Sequence, residues 1–170
     1  MRMTYDQYID LGERPPARLT AAESATIATA RDILQKHVRK ADLIASWAML
    51  IDYLALNAIT ERTEVFRCLF LDTRNRLIRD KVMSRGTIDH VPVYVREVIR
   101  SAVLLDANAM ILCHNHPSGD PTPSRTDILM TEKLIAATKA LEITIHDHVI
   151  VGHGSERHSF SMRAAGTVEF

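Results

Sequence analysis

The sequence AMILCHNHPSGDPTPSRTD, residues 109–127, is the most informative stretch of this chain for both its fold and its chemistry. Its first five residues are apolar and predict a buried strand over 109–113. His114 and His116 follow directly, and alternate side chains of an extended segment point to the same side, so both imidazoles can reach one ion. Prolines and a glycine stiffen or bend the loop at 117–123, and the helix after it would present Asp127 from its first turn.

The segments around this stretch alternate between helical and strand patterns. Their order is helix, helix, strand, strand, helix, strand, helix, strand, which predicts an α/β sandwich with a mixed sheet rather than a helical bundle. Pro92 is expected to open the third helix and Ser124 the fourth. The predicted ranges are helices over 21 to about 37, 43 to about 57, 92–105 and 124 to about 141, a hairpin of 65–71 and 77–83, and strands over 109–113 and 143–151.

The length of 170 residues suits one domain with a helical extension. Paired prolines at 15–16 favour extended structure, so residues 1–20 are expected to form a flexible arm. Residues 21–60 would form a helical N-terminal extension, and residues 61–170 the metal-binding domain.

Composition and the pattern of apolar residues limit the possible partners and the cellular location of the protein. Lysine plus arginine equals aspartate plus glutamate at 21 each, so bulk charge argues against direct nucleic-acid binding. The N-terminus has no secretory apolar region, and the longest apolar stretch, 43–59, is interrupted by Asp52, which argues against a membrane span. Cys68 and Cys113 lie in apolar runs and are expected to be buried thiols. Together these features predict a cytoplasmic protein.

Two histidines and one carboxylate form a three-ligand set that leaves zinc a fourth position for a water nucleophile. The same donors also suit non-haem iron. A general base is needed as well, and Glu64 is attractive because it precedes the strand over 65–71, although spacing alone does not choose among the 21 acids.

Two further patterns have alternative interpretations. Ser124 and Asp127 also fit a helix capping box, which would explain both residues without a metal. His146 and His148 alternate along the last predicted strand as the first pair does, which allows a second metal or ligand set. Hydrogen bonding of Asp147 and His148 near the site is the other interpretation.

Glu64 with His114-x-His116 and Ser124-x-x-Asp127 resembles the motif of the JAMM (MPN+) metalloproteases, and the filled loop His-Asn-His-Pro-Ser-Gly-x-Pro-x-Pro-Ser-x-x-Asp is similar to the RadC branch of that family. The similarity covers about residues 60–165. It implies a JAMM/MPN-like, cytidine-deaminase-like sheet flanked by helices.

The resemblance also implies a role for each residue of the motif. His114, His116 and Asp127 would bind Zn²⁺, Glu64 would be the general base and Ser124 a donor to the oxyanion. The substrate would be a peptide or protein, cut at a peptide or isopeptide bond.

Two other functions compete with hydrolysis as interpretations of this sequence. A non-enzymatic partner in DNA repair or recombination fits the RadC name. However, Gly12 is the single glycine in residues 1–60, which lack the helix-hairpin-helix glycine turn typical of that branch. A zinc nucleobase deaminase is disfavoured because the chain has no Pro-Cys-x-x-Cys.

Overall fold

A computed structural model of the chain describes residues 19–39, 42–43, 45–86, 92–152 and 159–170. The helices are α1 (Ala21–Val38), α2 (Trp47–Ala58), α3 (Val95–Leu104) and α4 (Arg125–Lys139). The strands are β1 (Val65–Leu71), β2 (Leu77–Arg85), β3 (Ala109–His116), β4 (Thr144–Gly152) and β5 (Ser159–Ser161). Within these ranges, no helix has the length and apolarity that crossing a bilayer requires.

All five strands belong to one mixed sheet in the order β2-β1-β3-β4-β5. β3 runs parallel to β4, while β1 pairs antiparallel with both β2 and β3, and β5 pairs antiparallel with β4. The predicted mixed α/β fold is therefore confirmed. β3, which carries both site histidines, lies in the middle of the sheet.

The two-residue period of β3 divides the core between the two faces of the sheet. Ala109, Ile111 and Cys113 pack in a cluster with residues of α2. Met110 and Leu112 pack in a second cluster with residues of α3 and α4. Because His114 and His116 continue this second series, their imidazoles emerge on the α4 face.

The buried thiols expected from the sequence are confirmed. Cys68 and Cys113 are both free and buried, and they belong to the clusters on opposite faces of the sheet. Burial raises the pKa of Cys113 to about 12. Neither thiol belongs to the group of three residues, His114, His116 and Asp127, that could hold a metal ion.

Several element boundaries differ from the prediction. The third helix begins at Val95 rather than Pro92, because Tyr94 is extended (φ −95°, ψ 102°) and its carbonyl accepts the first helical hydrogen bonds. Proline fixes only φ, which suits extended backbone as well as helix. α2 begins at Trp47 rather than 43. β3 continues to His116, which pairs with Gly152, and the three-residue β5 was not predicted.

The compact unit Arg31–Phe170 contains the sheet, α2, α3 and α4. The expected arm at 1–20 lies, up to residue 18, outside the described residues. The expected division at residue 60 between a helical extension and the metal-binding domain stays a prediction.

Candidate metal centre

Three side chains with metal-binding atoms meet where β3 ends and α4 begins. His114 Nε2 lies 2.9 Å from His116 Nε2, and Asp127 Oδ1 and Oδ2 lie 3.4 Å and 3.7 Å from these two nitrogens respectively. Three atoms bound to one zinc at about 2 Å in tetrahedral geometry would lie roughly 3.3 Å apart. His114, His116 and Asp127 could therefore hold one metal ion.

The loop between His116 and α4 folds back through local hydrogen bonds. Gly119 N donates to the His116 carbonyl at 3.1 Å, and Gly119 has a φ of 94°, which favours glycine. His116 Nδ1 lies 2.8 Å from the Asp120 carbonyl. A carbonyl can only accept, so Nδ1 carries the proton and Nε2 faces the cluster. The turn thus orients the ring of His116.

Ser124 and Asp127 form the predicted capping box at the start of α4. Asp127 N donates to Ser124 Oγ at 3.2 Å, and Ser124 N donates to Asp127 Oδ2 at 2.8 Å. The Ser124 hydroxyl also donates to Oδ2, at 2.5 Å. Since a carboxylate has two oxygens, the cap occupies Oδ2 and leaves Oδ1 facing His114. Capping and metal binding are therefore compatible in one residue.

The ionisation of the cluster favours a cation. Burial lowers the pKa of His114. The contact between His116 and Asp127 raises the pKa of His116. Burial opposes ionisation of Asp127, but the neighbouring imidazoles and the Ser124 hydroxyl hold the pKa of its carboxyl well below its usual range. Asp127 is thus a carboxylate. With two Nε2 atoms 2.9 Å apart, the space between the rings requires a proton or a metal ion.

The pairing of β1 with β3 brings Glu64 to the same end of the sheet. Phe66 pairs with His114 in an antiparallel register, which places Glu64, immediately before β1, at the level of His116. The side chain is buried at 8% exposure, and its charge contributes to the raised pKa of His116. The structure therefore places the predicted base close to the predicted ligands.

Asn115 holds the backbone on both sides of Glu64. The spacing of the two histidines, between which Asn115 lies, does not predict this role. Its Oδ1 accepts a hydrogen bond from Val65 N at 2.9 Å, and its Nδ2 donates to the Thr63 carbonyl at 3.0 Å. Asn115 points to the opposite side of β3 from the histidines, as alternation requires. Only the strand pairing reveals this role, because Thr63 and Asn115 are far apart in sequence.

His146 and His148 do not form a second ligand pair. The register of β3 and β4 shifts so that Met110 pairs with Ile145 and Ile111 with Asp147, which makes His146 the extra residue of a β-bulge. His146 Nε2 then contacts Asn75 Oδ1 at 2.8 Å, whereas the ring of His148 faces His114. The hypothesis of a second metal on these histidines is wrong, because the bulge breaks the alternation on which it depended.

Asp147 and His148 instead make the hydrogen bonds that the other interpretation expected. Asp147 accepts from the Ser161 hydroxyl and from the backbone nitrogens of His148 and Arg163. His148 is fully buried, and burial lowers its pKa well below the ordinary value. Its two ring nitrogens contact His114 and Thr131, so it lies directly behind a predicted ligand.

Gly152 sets the distance between β4 and the loop that follows the histidines. A Cβ added to Gly152 would overlap the carbonyl oxygen of Gly119. We expect Gly152→Ala to displace this loop and to destabilise the protein by about 1–3 kcal/mol, the usual range for overpacking. Thermal unfolding and zinc titration would measure the effect. An unchanged Tm together with unchanged zinc affinity would show that the loop does not depend on this contact.

Comparison with known proteins agrees with this geometry. Residues 44–167 match the family described as "RadC-like JAB domain". The chain is also 45% identical over 162 residues to a "UPF0758 protein" of Rhodobacter capsulatus, an alignment that covers 89% of this chain and 74% of the relative. The matched region contains all of the residues that form the cluster.

Proposed function

Since the chain belongs to the RadC-like JAB-domain family, we propose that it is a zinc-dependent hydrolase of the metallopeptidase or isopeptidase type. The observation that carries this proposal is the convergence of His114 Nε2, His116 Nε2 and the Asp127 carboxylate, with the buried Glu64 at the level of His116 on the neighbouring strand. The JAB-domain family includes metalloproteases. A three-ligand set next to a carboxylate that is not itself one of the ligands is the arrangement that hydrolysis requires.

The donor set supports zinc as the metal. Two imidazole nitrogens and one carboxylate oxygen are the protein ligands of a known type of catalytic zinc site. The Asp127 carboxylate would neutralise part of the charge of the bound metal ion. When bound, zinc would supply Lewis-acid polarisation of a carbonyl and would lower the pKa of a water ligand to about 7. Iron is the competing metal, because non-haem iron centres use the same donors.

Glu64 is proposed as the group that moves the proton. Its carboxylate would accept a proton from the attacking water and deliver it to the leaving amine, so that the C–N bond breaks as the amine becomes neutral. Burial beside His116 restricts the motion of Glu64, and Asn115 fixes the backbone on both sides of it. These features would limit the movement of the proposed base.

Ser124 is proposed as a donor to the developing oxyanion. Its hydroxyl proton is directed to Asp127 Oδ2, so rotation about the Cβ–Oγ bond would have to redirect it toward the substrate oxygen. The backbone N–H of Ser124 would still bond Oδ2 during that rotation and keep the carboxylate in place.

The experiment that tests this function combines metal analysis with a search for newly formed amines. Protein purified without added metal is analysed for zinc and iron, and is then incubated with a cell lysate beside the His114→Ala variant. Labelling of α-amines and lysine ε-amines detects cleavage of peptide and isopeptide bonds respectively. We expect zinc to be bound and new amines to form only with the wild-type protein.

Each other outcome of that experiment contradicts part of the proposal. Iron in place of zinc would remove the hydrolase assignment. Identical amine profiles for wild type and His114→Ala would favour the alternative, a non-enzymatic partner protein acting in DNA repair or recombination. That alternative requires no intact set of metal ligands.

A further inference from the structure

A chain of hydrogen bonds runs behind the cluster from His114 to the first turns of α4. His114 Nδ1 lies 2.8 Å from His148 Nε2, and His148 Nδ1 lies 2.6 Å from Thr131 Oγ1. Thr131 Oγ1 is in turn 2.6 Å from the backbone carbonyl of Asp127. All three side chains are at most 1% exposed, so water does not compete for these contacts.

The direction of every bond in the chain follows from the Asp127 carbonyl. A carbonyl oxygen only accepts, so at 2.6 Å the Thr131 hydroxyl must donate its single proton to it. Met162 Sδ, 3.6 Å from Thr131 Oγ1, is a weak acceptor that at most shares this proton. Thr131 Oγ1 then has only lone pairs to offer to His148, and His148 Nδ1 must therefore carry a proton.

This proton fixes the tautomers of both histidines. A neutral imidazole has one N–H, so His148 with a proton on Nδ1 presents a lone pair at Nε2. That lone pair accepts from His114 Nδ1, and His114 in turn keeps its own lone pair on Nε2. Nε2 is the atom of His114 that faces His116 and Asp127.

We propose that Thr131 and His148 are positioning residues that set the tautomer of His114 in the metal-free protein, so that its Nε2 is ready to accept a cation. The inference rests on the proposed metal centre. Imidazole ligands are often oriented by a group that can only accept, such as a carboxylate or a backbone carbonyl. His148 can donate or accept, so by itself it does not fix the direction, and the Thr131 hydroxyl is needed.

The two histidines thus each keep a proton on Nδ1, but by different routes. His116 Nδ1 contacts the Asp120 carbonyl directly, at 2.8 Å. His114 depends on a chain whose last acceptor is the Asp127 carbonyl. A change at Thr131 should therefore affect His114 and leave the Nδ1 proton of His116 in place, which supplies an internal control within the same site.

Thr131→Val, which removes the hydroxyl and keeps the shape, tests this inference, and Thr131→Ser, which keeps a hydroxyl, is the matched control. Zinc affinity is measured by competition with a chromogenic chelator. The ring tautomers are measured in metal-free protein by long-range ¹H–¹⁵N correlation, at a pH above the ordinary histidine value of 6.5. We expect the Nδ1–H form of His114 and His148 in wild type and in Thr131→Ser.

In Thr131→Val we expect both rings to lose this single tautomer, while His116 keeps its proton on Nδ1. Zinc affinity should fall roughly 10- to 100-fold, the usual cost of removing a partner of a metal ligand. An Nε2–H form of His114 in the metal-free wild type would overturn the inference. So would a Thr131→Val protein with wild-type zinc affinity.

The wild-type spectrum decides the tautomer even where Thr131→Val does not fold, which circular dichroism would reveal. These measurements use no substrate, so they separate this inference from the proposed function. A protein with the expected tautomers and tight zinc binding but no hydrolysis would support the positioning role of Thr131 and His148 and contradict the proposed hydrolase function.

Discussion

Glu64→Gln is expected to keep zinc bound and to lower the hydrolysis rate by about 10²- to 10⁴-fold, the usual contribution of a general base. Glutamine has the size of glutamate, and the Asn115 bonds to the backbone on either side of residue 64 do not involve its side chain. The three proposed ligands stay in place. What is lost is a carboxylate able to take the proton from water.

The control variant for Glu64→Gln is Glu132→Gln, which makes the same substitution at an exposed position of α4. Hydrolysis rate and zinc content are measured for both proteins. Glu132→Gln should match wild type in both respects. If Glu64→Gln retained the wild-type rate, Glu64 would have no part in the reaction, and if it lost zinc, its proposed role would have to change to that of a ligand.

Asp127→Asn is expected to reduce zinc affinity by more than the roughly 10- to 100-fold that loss of an outer partner costs. The amide oxygen can still accept from Ser124 N, as Oδ2 does in the capping box, so α4 should still begin at Arg125. The variant loses the negative charge that faces both imidazoles. Chelator competition gives the affinity, and circular dichroism checks the helix.

Ser124→Ala separates the cap from the metal centre. It removes the side-chain half of the capping box, which typically costs about 1 kcal/mol of stability, but keeps all three proposed ligands. We expect lower thermal stability with far tighter zinc binding than in Asp127→Asn. Equal zinc affinity in the two variants, or wild-type affinity in Asp127→Asn, would support the interpretation that these residues only cap the helix.

Much of the fold and part of the site could be predicted because they depend on local patterns. The apolar run before His114 predicted β3, and the two-residue spacing of the histidines predicted that both rings leave the same face of the sheet. The three-residue spacing of Ser124 and Asp127 predicted the capping box, because its two hydrogen bonds join residues three positions apart. The hairpin of β1 and β2 followed from the turn cluster between them.

Contacts between distant segments could not be predicted in this way. The place of Glu64 before β1 and the family resemblance pointed to it among the 21 acids, but only the register of β1 against β3 places it at the level of His116. The two bonds of Asn115 to the backbone around Glu64 depend on the same register. Periodicity describes which face a residue occupies but not which residue of another strand it meets.

The local sequence alone specifies the proposed ligand set, because His114, His116 and Asp127 are joined by one short strand, one loop and one helix cap. The surroundings of those three residues depend on long-range contacts in the folded chain. A bulge in β4 separates His146 from His148, and the packing of α4 on the sheet brings Thr131 against His148. These contacts join segments that are distant in the chain, and their geometry is fixed only when strands pair and helices pack.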